Sequence, residues 1–199
     1  MIVKLSVLAG AVGLASLCAA QSASAADDVF TLSSTTFKDG TMLPKKAANA
    51  NPTGNNPNCV GENVSPQFSW ANPPAGTKSF VFLMEDPEGR GGAGVHHMVI
   101  YGIDPKTTGF AEGELSKPSD KFVGGKATQG TGIYNGPCTP ANVQPHHYTF
   151  VLVATDFEPK ELPPGLTRDE VLPKIVPPSG PTHAKNSAGM VGLFVKPAS

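Results

Sequence analysis

Four of the five histidines fall in two doublets, each next to a segment with strand character. The doublets are His96-His97 and His146-His147, and Asp86 precedes the first of them across a glycine-rich loop. Imidazole and carboxylate side chains can exchange protons, coordinate metal ions or hydrogen-bond to anions. Neighbouring side chains of a β-strand point to opposite faces, so only one histidine of each doublet can face a given pocket. We therefore expect a polar pocket with one carboxylate and two imidazoles.

The spacing of these residues limits the chemistry that such a pocket could perform. A zinc site needs three or four converging ligands, and Asp86 with one histidine of each doublet could supply three, but the spacing matches no zinc signature. No serine lies in a nucleophile-elbow pattern, and phosphate loops and dinucleotide fingerprints are absent. Asp86 alone is typical of a turn-capping residue. Combined with Tyr148 and a Gly-Pro loop at residues 136–137, it indicates a pocket for an anionic head group, without a metal ion or a cofactor.

Short strands are predicted to position these side chains. They cover residues 30–34, 67–70, 79–85, 95–103, 148–154 and 189–195, and Gly and Pro turns separate them. Residues 43–58 contain almost no large apolar side chain and are predicted to form a surface loop. One helix is predicted at Arg168–Ile175, with Thr167 as N-cap and Glu170 reaching back to it. Many short strands and little helix indicate a mainly β, antiparallel architecture.

Residues 1–25 have the composition of a secretory signal peptide. One basic residue, Lys4, precedes an apolar segment from Leu5 to Ala20, and the small residues Ala23-Ser24-Ala25 follow it. That segment is shorter than the roughly 20 residues of a membrane-spanning helix, so we expect no stable membrane insertion after cleavage. Lipidation at Cys18 is disfavoured because Leu17 is bulky where a small residue is preferred. The protein is thus predicted to be exported, to the periplasm or the medium, as a single domain of residues 26–199.

Charge and cysteine content narrow the partners and the compartment. Cleavage would remove one basic and no acidic residue, so the formal charge would fall from −1 to about −2, which disfavours nucleic acid as a partner. Two cysteines, Cys59 and Cys138, would remain. In an oxidising compartment such a pair most simply forms a disulfide, and two free buried thiols are the alternative.

Two motif pairs in chain order resemble a known family. The first is Asp86-Pro87-Glu88 with His97 downstream, and the second is Gly136-Pro137-Cys138 with His146-His147-Tyr148 downstream. Together they resemble the phosphatidylethanolamine-binding protein family, also called the Raf kinase inhibitor protein family. The leader, Asn63-Val64-Ser65-Pro66 with Trp70, and the Tyr134-Asn135 start of the second loop are similar to its bacterial YbhB/YbcL-type branch. The similarity covers about residues 30–194 and is specific only in combination.

The resemblance implies a fold of two antiparallel β-sheets in a Greek-key arrangement, with one or two short helices. It also implies a small cavity that takes phosphate, phosphoethanolamine head groups or acetate-like anions. The residues implied to line the cavity are Asp86, His97, Gly136, Pro137, His146 and Tyr148, while His96 and His147 would be outward or structural partners.

The sequence departs from the family pattern at two places. The usual Asp-Pro-Asp-Ala-Pro is replaced by Asp86-Pro87-Glu88-Gly89-Arg90, which could alter the mouth of the cavity. The usual Arg between the histidine and the tyrosine is replaced by His147, which removes a structural charge. The first change bears on the identity of the ligand and the second on local stability.

The sequence therefore predicts an exported, non-enzymatic protein that binds a small anionic or phosphorylated ligand. A protonated imidazole donates charge-assisted hydrogen bonds to phosphate oxygens, so ligand occupancy should fall as the pH rises through the histidine pKa. One alternative is an inhibitor or regulator of a protein partner, a kinase or a protease, that acts through the surface around the cavity. Another is a hydrolase in which Asp86 and His97 serve as acid and base. The sequence predicts no oligomeric state.

Overall fold

The computed structural model describes residues 29–50 and 53–198, and the predicted leader at residues 1–25 lies outside them. The described chain is mainly β, as predicted. Its eleven strands are β1 (Thr31–Ser33), β2 (Thr41–Met42), β3 (Phe68–Ala71), β4 (Ser79–Asp86), β5 (Val95–Ile103), β6 (Gly109–Phe110), β7 (Val123–Gly124), β8 (Lys126–Ala127), β9 (Gly130–Thr131), β10 (His146–Thr155) and β11 (Ala184–Phe194).

The strands of the described residues form three sheets. The large sheet has the order β2-β11-β10-β4-β5-β7, the small sheet has the order β1-β3-β6, and β8 and β9 form a hairpin. Two details add to the predicted antiparallel sheets: the hairpin is a separate sheet, and β2 pairs with β11 in parallel. Both details involve strands of two residues, which are too short to leave an alternating pattern in the sequence.

The central strands of the large sheet are buried on both faces. In β4, Phe80, Phe82 and Met84 belong to the core between the large and the small sheet, whereas Val81 and Leu83 belong to a second core on the opposite face. Successive side chains of a strand alternate between faces, so a strand between two cores is apolar throughout. The sequence of β4 is therefore apolar at every position from Phe80 to Met84.

The second core lies between the large sheet and the helix Arg168–Ile175. This helix has the predicted bounds, and the Glu170 carboxylate accepts a hydrogen bond from Thr167 N over 2.8 Å, as expected for a capping box. Val171 and Ile175 are fully buried against the sheet. Pro173 lies inside the helix without ending it.

The prediction of a surface loop for residues 43–58 is wrong for its first part. Leu43, Ala47 and Ala48 are buried in the core between the sheets, and Lys45–Ala47 forms a 3-10 turn. The buried alanines are small, so they do not produce a pattern of large apolar residues in the sequence. Residues 53–58 form turns with mostly exposed side chains, as expected. Among the described residues no helix has the length and apolarity needed to cross a membrane.

Candidate functional site

A recess of about 230 Å³ lies where β4, β5 and β10 meet at one end of the large sheet. Its lining includes the polar side chains of Asp86, Arg90, His97, Thr139, His146 and Tyr148. Four of these were predicted as site residues, and the structure brings all four together.

Strand periodicity places Asp86, His146 and Tyr148 in this recess. Asp86 continues the face of β4 that carries Met84, and Tyr148 and His146 continue the face of β10 that carries Phe150. Because Phe150 pairs directly with Met84, these two faces are the same side of the sheet. The polar recess is therefore the end of the apolar core between the sheets.

His97 reaches the same side through an irregularity in β5. In the pairing of β5 with β4, Met98 lies opposite Met84 and His96 lies opposite Glu85, so His97 is skipped. Such a bulge inserts one unpaired residue and changes the direction in which a side chain points. As a result the His97 ring packs edge-on against Tyr148, with ring centroids 5.2 Å apart.

The His97 ring is buried and held by a backbone carbonyl. Its Nδ1 lies 2.7 Å from Asn135 O, and the residue is 3% exposed. A carbonyl only accepts, so Nδ1 carries the proton and Nε2 is the nitrogen left for a ligand. Burial lowers the pKa of His97, although Asn135 and Asp86 favour the charged ring. A neutral His97 offers a lone pair to the recess, and a protonated His97 offers an N–H donor.

Asp86 has two structural roles at once. Its Oδ1 accepts hydrogen bonds from Glu88 N at 3.0 Å and Gly89 N at 2.9 Å, which is the turn-capping role. Its Oδ2 lies 2.8 Å from His146 Nδ1, so it also orients an imidazole. That imidazole is His146, and His97 is oriented by Asn135 instead.

Tyr148 supplies a protonated hydroxyl. The residue is buried, and its hydroxyl lies 2.6 Å from Thr139 Oγ1. Burial raises the pKa of Tyr148, and the negative charge of Asp86 acts in the same direction. The phenol therefore remains a neutral donor or acceptor over the physiological pH range.

The predicted wall of Gly136 and Pro137 is corrected, because neither residue lines the recess. Gly136 N donates to Asn63 Oδ1 over 2.8 Å, and a Cβ on Gly136 would lie 2.1 Å from Ala47 O. Pro137 O accepts from the backbone N–H of Asn49 over 2.9 Å. These two residues thus anchor the loop to the 3-10 turn region, and residues 138–140, which follow directly, line the recess.

Comparisons with known proteins agree with the motifs. The chain matches the family profile described as phosphatidylethanolamine-binding protein over residues 33–178. The chain belongs to this family. A protein of Methanothermobacter thermautotrophicus named UPF0098 protein is 34% identical over 138 residues, which cover 68% of this chain and 85% of that relative.

Two further sequence relatives and one solved structure extend the comparison. A Mycobacterium tuberculosis protein named putative lipoprotein LppC is 30% identical over 169 residues, which cover 85% of this chain and 74% of that relative. The crystal structure of E. coli YbcL, described as a new member of the mammalian PEBP family, superposes with a TM-score of 0.71 at 24% identity, over 83% of this chain and 98% of that one. The E. coli relative named UPF0098 protein YbhB is 32% identical over 131 residues, which cover 64% of this chain and 78% of that relative. The predicted family and its bacterial branch are confirmed.

The departures from the phosphatidylethanolamine-binding protein motif lie at the edge of the recess. His147 is exposed and its Nδ1 lies 2.7 Å from Glu88 Oε1, while its backbone N donates to Glu88 Oε2 over 3.1 Å. His147 thus joins β10 to the loop after Asp86, consistent with a structural rather than a lining role. His96 is also outside the recess, with Nδ1 3.7 Å from Glu85 Oε1.

Sequence reasoning missed several residues that line the recess. Arg90 was noted only as a departure from the motif, and Thr139 and Asn56 were not considered. Thr139 could have been found from its place directly after the Gly-Pro-Cys motif. Nothing in the sequence signals Asn56, because its place in the recess depends on the tertiary position of a loop.

Cys59 and Cys138 form the predicted disulfide. Their Cα atoms are 4.5 Å apart, and 79 positions of sequence separate them. Cys138 also lines the recess, and Asn56 lines it from the loop that carries Cys59. The disulfide therefore joins two loops that both contribute to the wall.

The absence of a bound metal stays a prediction. Asp86, Glu88 and His146 offer ligand atoms that lie within 4.8 Å of one another. In the described structure these groups already have protein partners: Asp86 bonds to His146 and to the turn, and Glu88 bonds to His147. A metal ion here would have to displace these hydrogen bonds.

Proposed function

We propose that this protein is exported and binds small anionic or phosphorylated head groups in the recess without catalysis. The observation that supports this most is the fixed orientation of two imidazoles. Nδ1 of His97 is taken by Asn135 O and Nδ1 of His146 by Asp86, so each ring keeps Nε2 for a ligand. Two N–H donors of protonated rings, together with the Tyr148 hydroxyl, match the several acceptor oxygens of a phosphoryl group.

Export is supported by two independent features. The chain contains a disulfide, and disulfides persist in oxidising compartments outside the cytosol. One relative is named a putative lipoprotein, which implies that the relative is exported. The predicted signal peptide at residues 1–25 agrees with both features.

Calorimetric titration with inorganic phosphate and with phosphoethanolamine tests the binding function. We expect measurable binding at about pH 6, and at least a tenfold loss of affinity in His97→Ala and in His146→Ala, since hydrogen bonds to charged groups contribute about 1.5–3 kcal/mol each. The matched control is His96→Ala, which changes the other member of the same doublet outside the recess. Unchanged affinity after His97→Ala would contradict the proposal.

A hydrolase is the second candidate, because the Asp86–His146 pair resembles a carboxylate that orients a general base. The sequence suggested His97 as the base, whereas the histidine that Asp86 orients in the structure is His146. Against this candidate, the lining hydroxyls of Thr139 and Tyr148 are bonded to each other, and burial keeps the phenol protonated. Turnover of a panel of phosphate esters, abolished by Asp86→Asn, would establish hydrolysis and replace the binding proposal.

A further inference from the structure

We propose that Arg90 supplies the permanent positive charge of the recess and thereby selects ligands with a phosphoryl or similar dianionic group. This inference rests on the proposed function, anion binding in the recess. Arg90 lies in the glycine-rich loop between β4 and β5, and it lines the recess together with Asp86, His97 and His146.

The other titratable groups that face the recess give it no fixed positive charge. Asp86 is an acid, and when His146 is protonated the two form an ion pair with no net charge. His97 is buried, and burial lowers its pKa, so the ring is neutral at neutral pH. The Tyr148 hydroxyl is uncharged. A guanidinium is protonated at every physiological pH, so Arg90 is the one pH-independent cation among these residues.

The charges just outside the recess are already paired. On the loop that carries Arg90, Glu88 is bonded to His147 of β10. On β5, His96 lies beside Glu85, which also pairs with Arg168 of the helix. No ion pair within the described part of the chain uses Arg90. Its guanidinium is therefore available to a ligand.

The backbone at Arg90 gives no reason for an arginine. Its φ of 54° and ψ of 39° lie in the left-handed region, which glycine adopts without steric cost, and both neighbours, Gly89 and Gly91, are glycines. The residue is exposed, so it stabilises no core. The side chain is what distinguishes this position, and a long cationic chain at the mouth can reach a phosphoryl group with a planar pair of donors.

Titration of Arg90 variants with inorganic phosphate at low salt tests this assignment, at about pH 8 and about pH 5.5 on either side of the ordinary histidine pKa. We expect Arg90→Gln to lower phosphate affinity about tenfold at the higher pH, where the imidazoles are neutral, and by a smaller factor at the lower pH. Arg90→Lys keeps the positive charge but loses the planar pair of N–H donors, so its phosphate affinity should lie between those of the wild type and Arg90→Gln. Lys106→Gln is the control of equal charge change, because Lys106 is exposed beyond the opposite end of β5.

The outcomes distinguish a wrong role of Arg90 from a wrong proposed function. If the wild-type protein binds phosphate and Arg90→Gln binds it equally at both pH values, the role of Arg90 is wrong and the proposed function stands. If the wild type binds no phosphate at either pH, both are wrong. A loss that is equal at both pH values and accompanied by a lower melting temperature would show a structural role and also overturn the assignment.

Discussion

At the scale of single residues, the site depends on which nitrogen of each imidazole is occupied. The Nδ1 atoms of His97 and His146 are bonded to acceptors, Asn135 O and Asp86 Oδ2. The neutral rings therefore present acceptors to the recess, and only protonation converts Nε2 into a donor. Anion binding and protonation of these rings must favour each other, because linkage between two bound species is reciprocal.

This linkage predicts that sulfate affinity rises as the pH falls. Burial lowers the folded-state pKa of His97 below the unfolded value of about 6.5, so the fold favours the neutral ring. That stability is fully present above about pH 6.5 and is lost as the pH falls through the folded pKa. A bound anion opposes this loss. We expect affinity to increase by up to about tenfold per pH unit for each proton taken up.

Calorimetry between about pH 8 and pH 5.5 measures this dependence, since that range spans the histidine pKa. Sulfate is the probe because its charge does not change over the range. In His97→Gln the slope should decrease, because the ring whose pKa burial lowers is gone. A wild-type slope of zero, or a slope unchanged by His97→Gln, would contradict the linkage.

At the scale of elements, the loop between β4 and β5 is shaped by a close contact at Gly89. A Cβ at this buried position would lie 2.6 Å from Val95 Cγ2 and 3.1 Å from Asp86 Oδ2. A side chain at this position would have to displace Val95 or Asp86, whereas glycine allows the loop to approach Asp86. At this distance the Gly89 N–H donates a hydrogen bond to Asp86 Oδ1.

We therefore expect Gly89→Ala to destabilise the protein by about 1–3 kcal/mol, the usual cost of overpacking, and to weaken phosphate binding by displacing Asp86. Urea unfolding and phosphate calorimetry measure the two effects. Gly124→Ala is the control, because its Cβ would meet nothing within 4 Å and its φ is not positive. If both variants have the same unfolding midpoint as the wild type, the close contact does not constrain the loop.

The elements also show what a sequence can predict and what it cannot. The bounds of β5 and of the helix Arg168–Ile175 match the predictions, because hydrophobic runs and caps are local signals. The bulge that turns His97 toward Tyr148 was not predicted, since it is a mismatch between two strands and not a property of either one. Alternation along each doublet predicted only that one histidine faces the recess; the resemblance to the family selected His97 and His146, and it left open which acceptor holds which ring.

At the scale of the whole molecule, regular pairing ends where the recess begins. The core strands β4, β5 and β10 are joined by long ladders, while the recess wall on the other side comes from loops near residues 56 and 138. Cys59 N bonds within its own turn to Asn56 O. The disulfide is thus a covalent link between two loops of the wall, and the second of them is also bonded to β5 through Asn135 and to β10 through Thr139.

Breaking this disulfide should affect stability and binding together. A loop of 79 positions predicts a loss of up to about 4.5 kcal/mol in the free energy of unfolding, because the reduced unfolded chain gains conformational freedom. Reduction should also lower phosphate affinity, since Cys138 and Asn56 would no longer be fixed relative to each other in the wall. Urea unfolding and phosphate titration, each with and without reductant, measure the two effects. The double variant Cys59→Ser and Cys138→Ser is the control: it should behave like the reduced wild type and should not respond to reductant. A lower unfolding midpoint with unchanged phosphate affinity would show that the loops hold the recess without the covalent link.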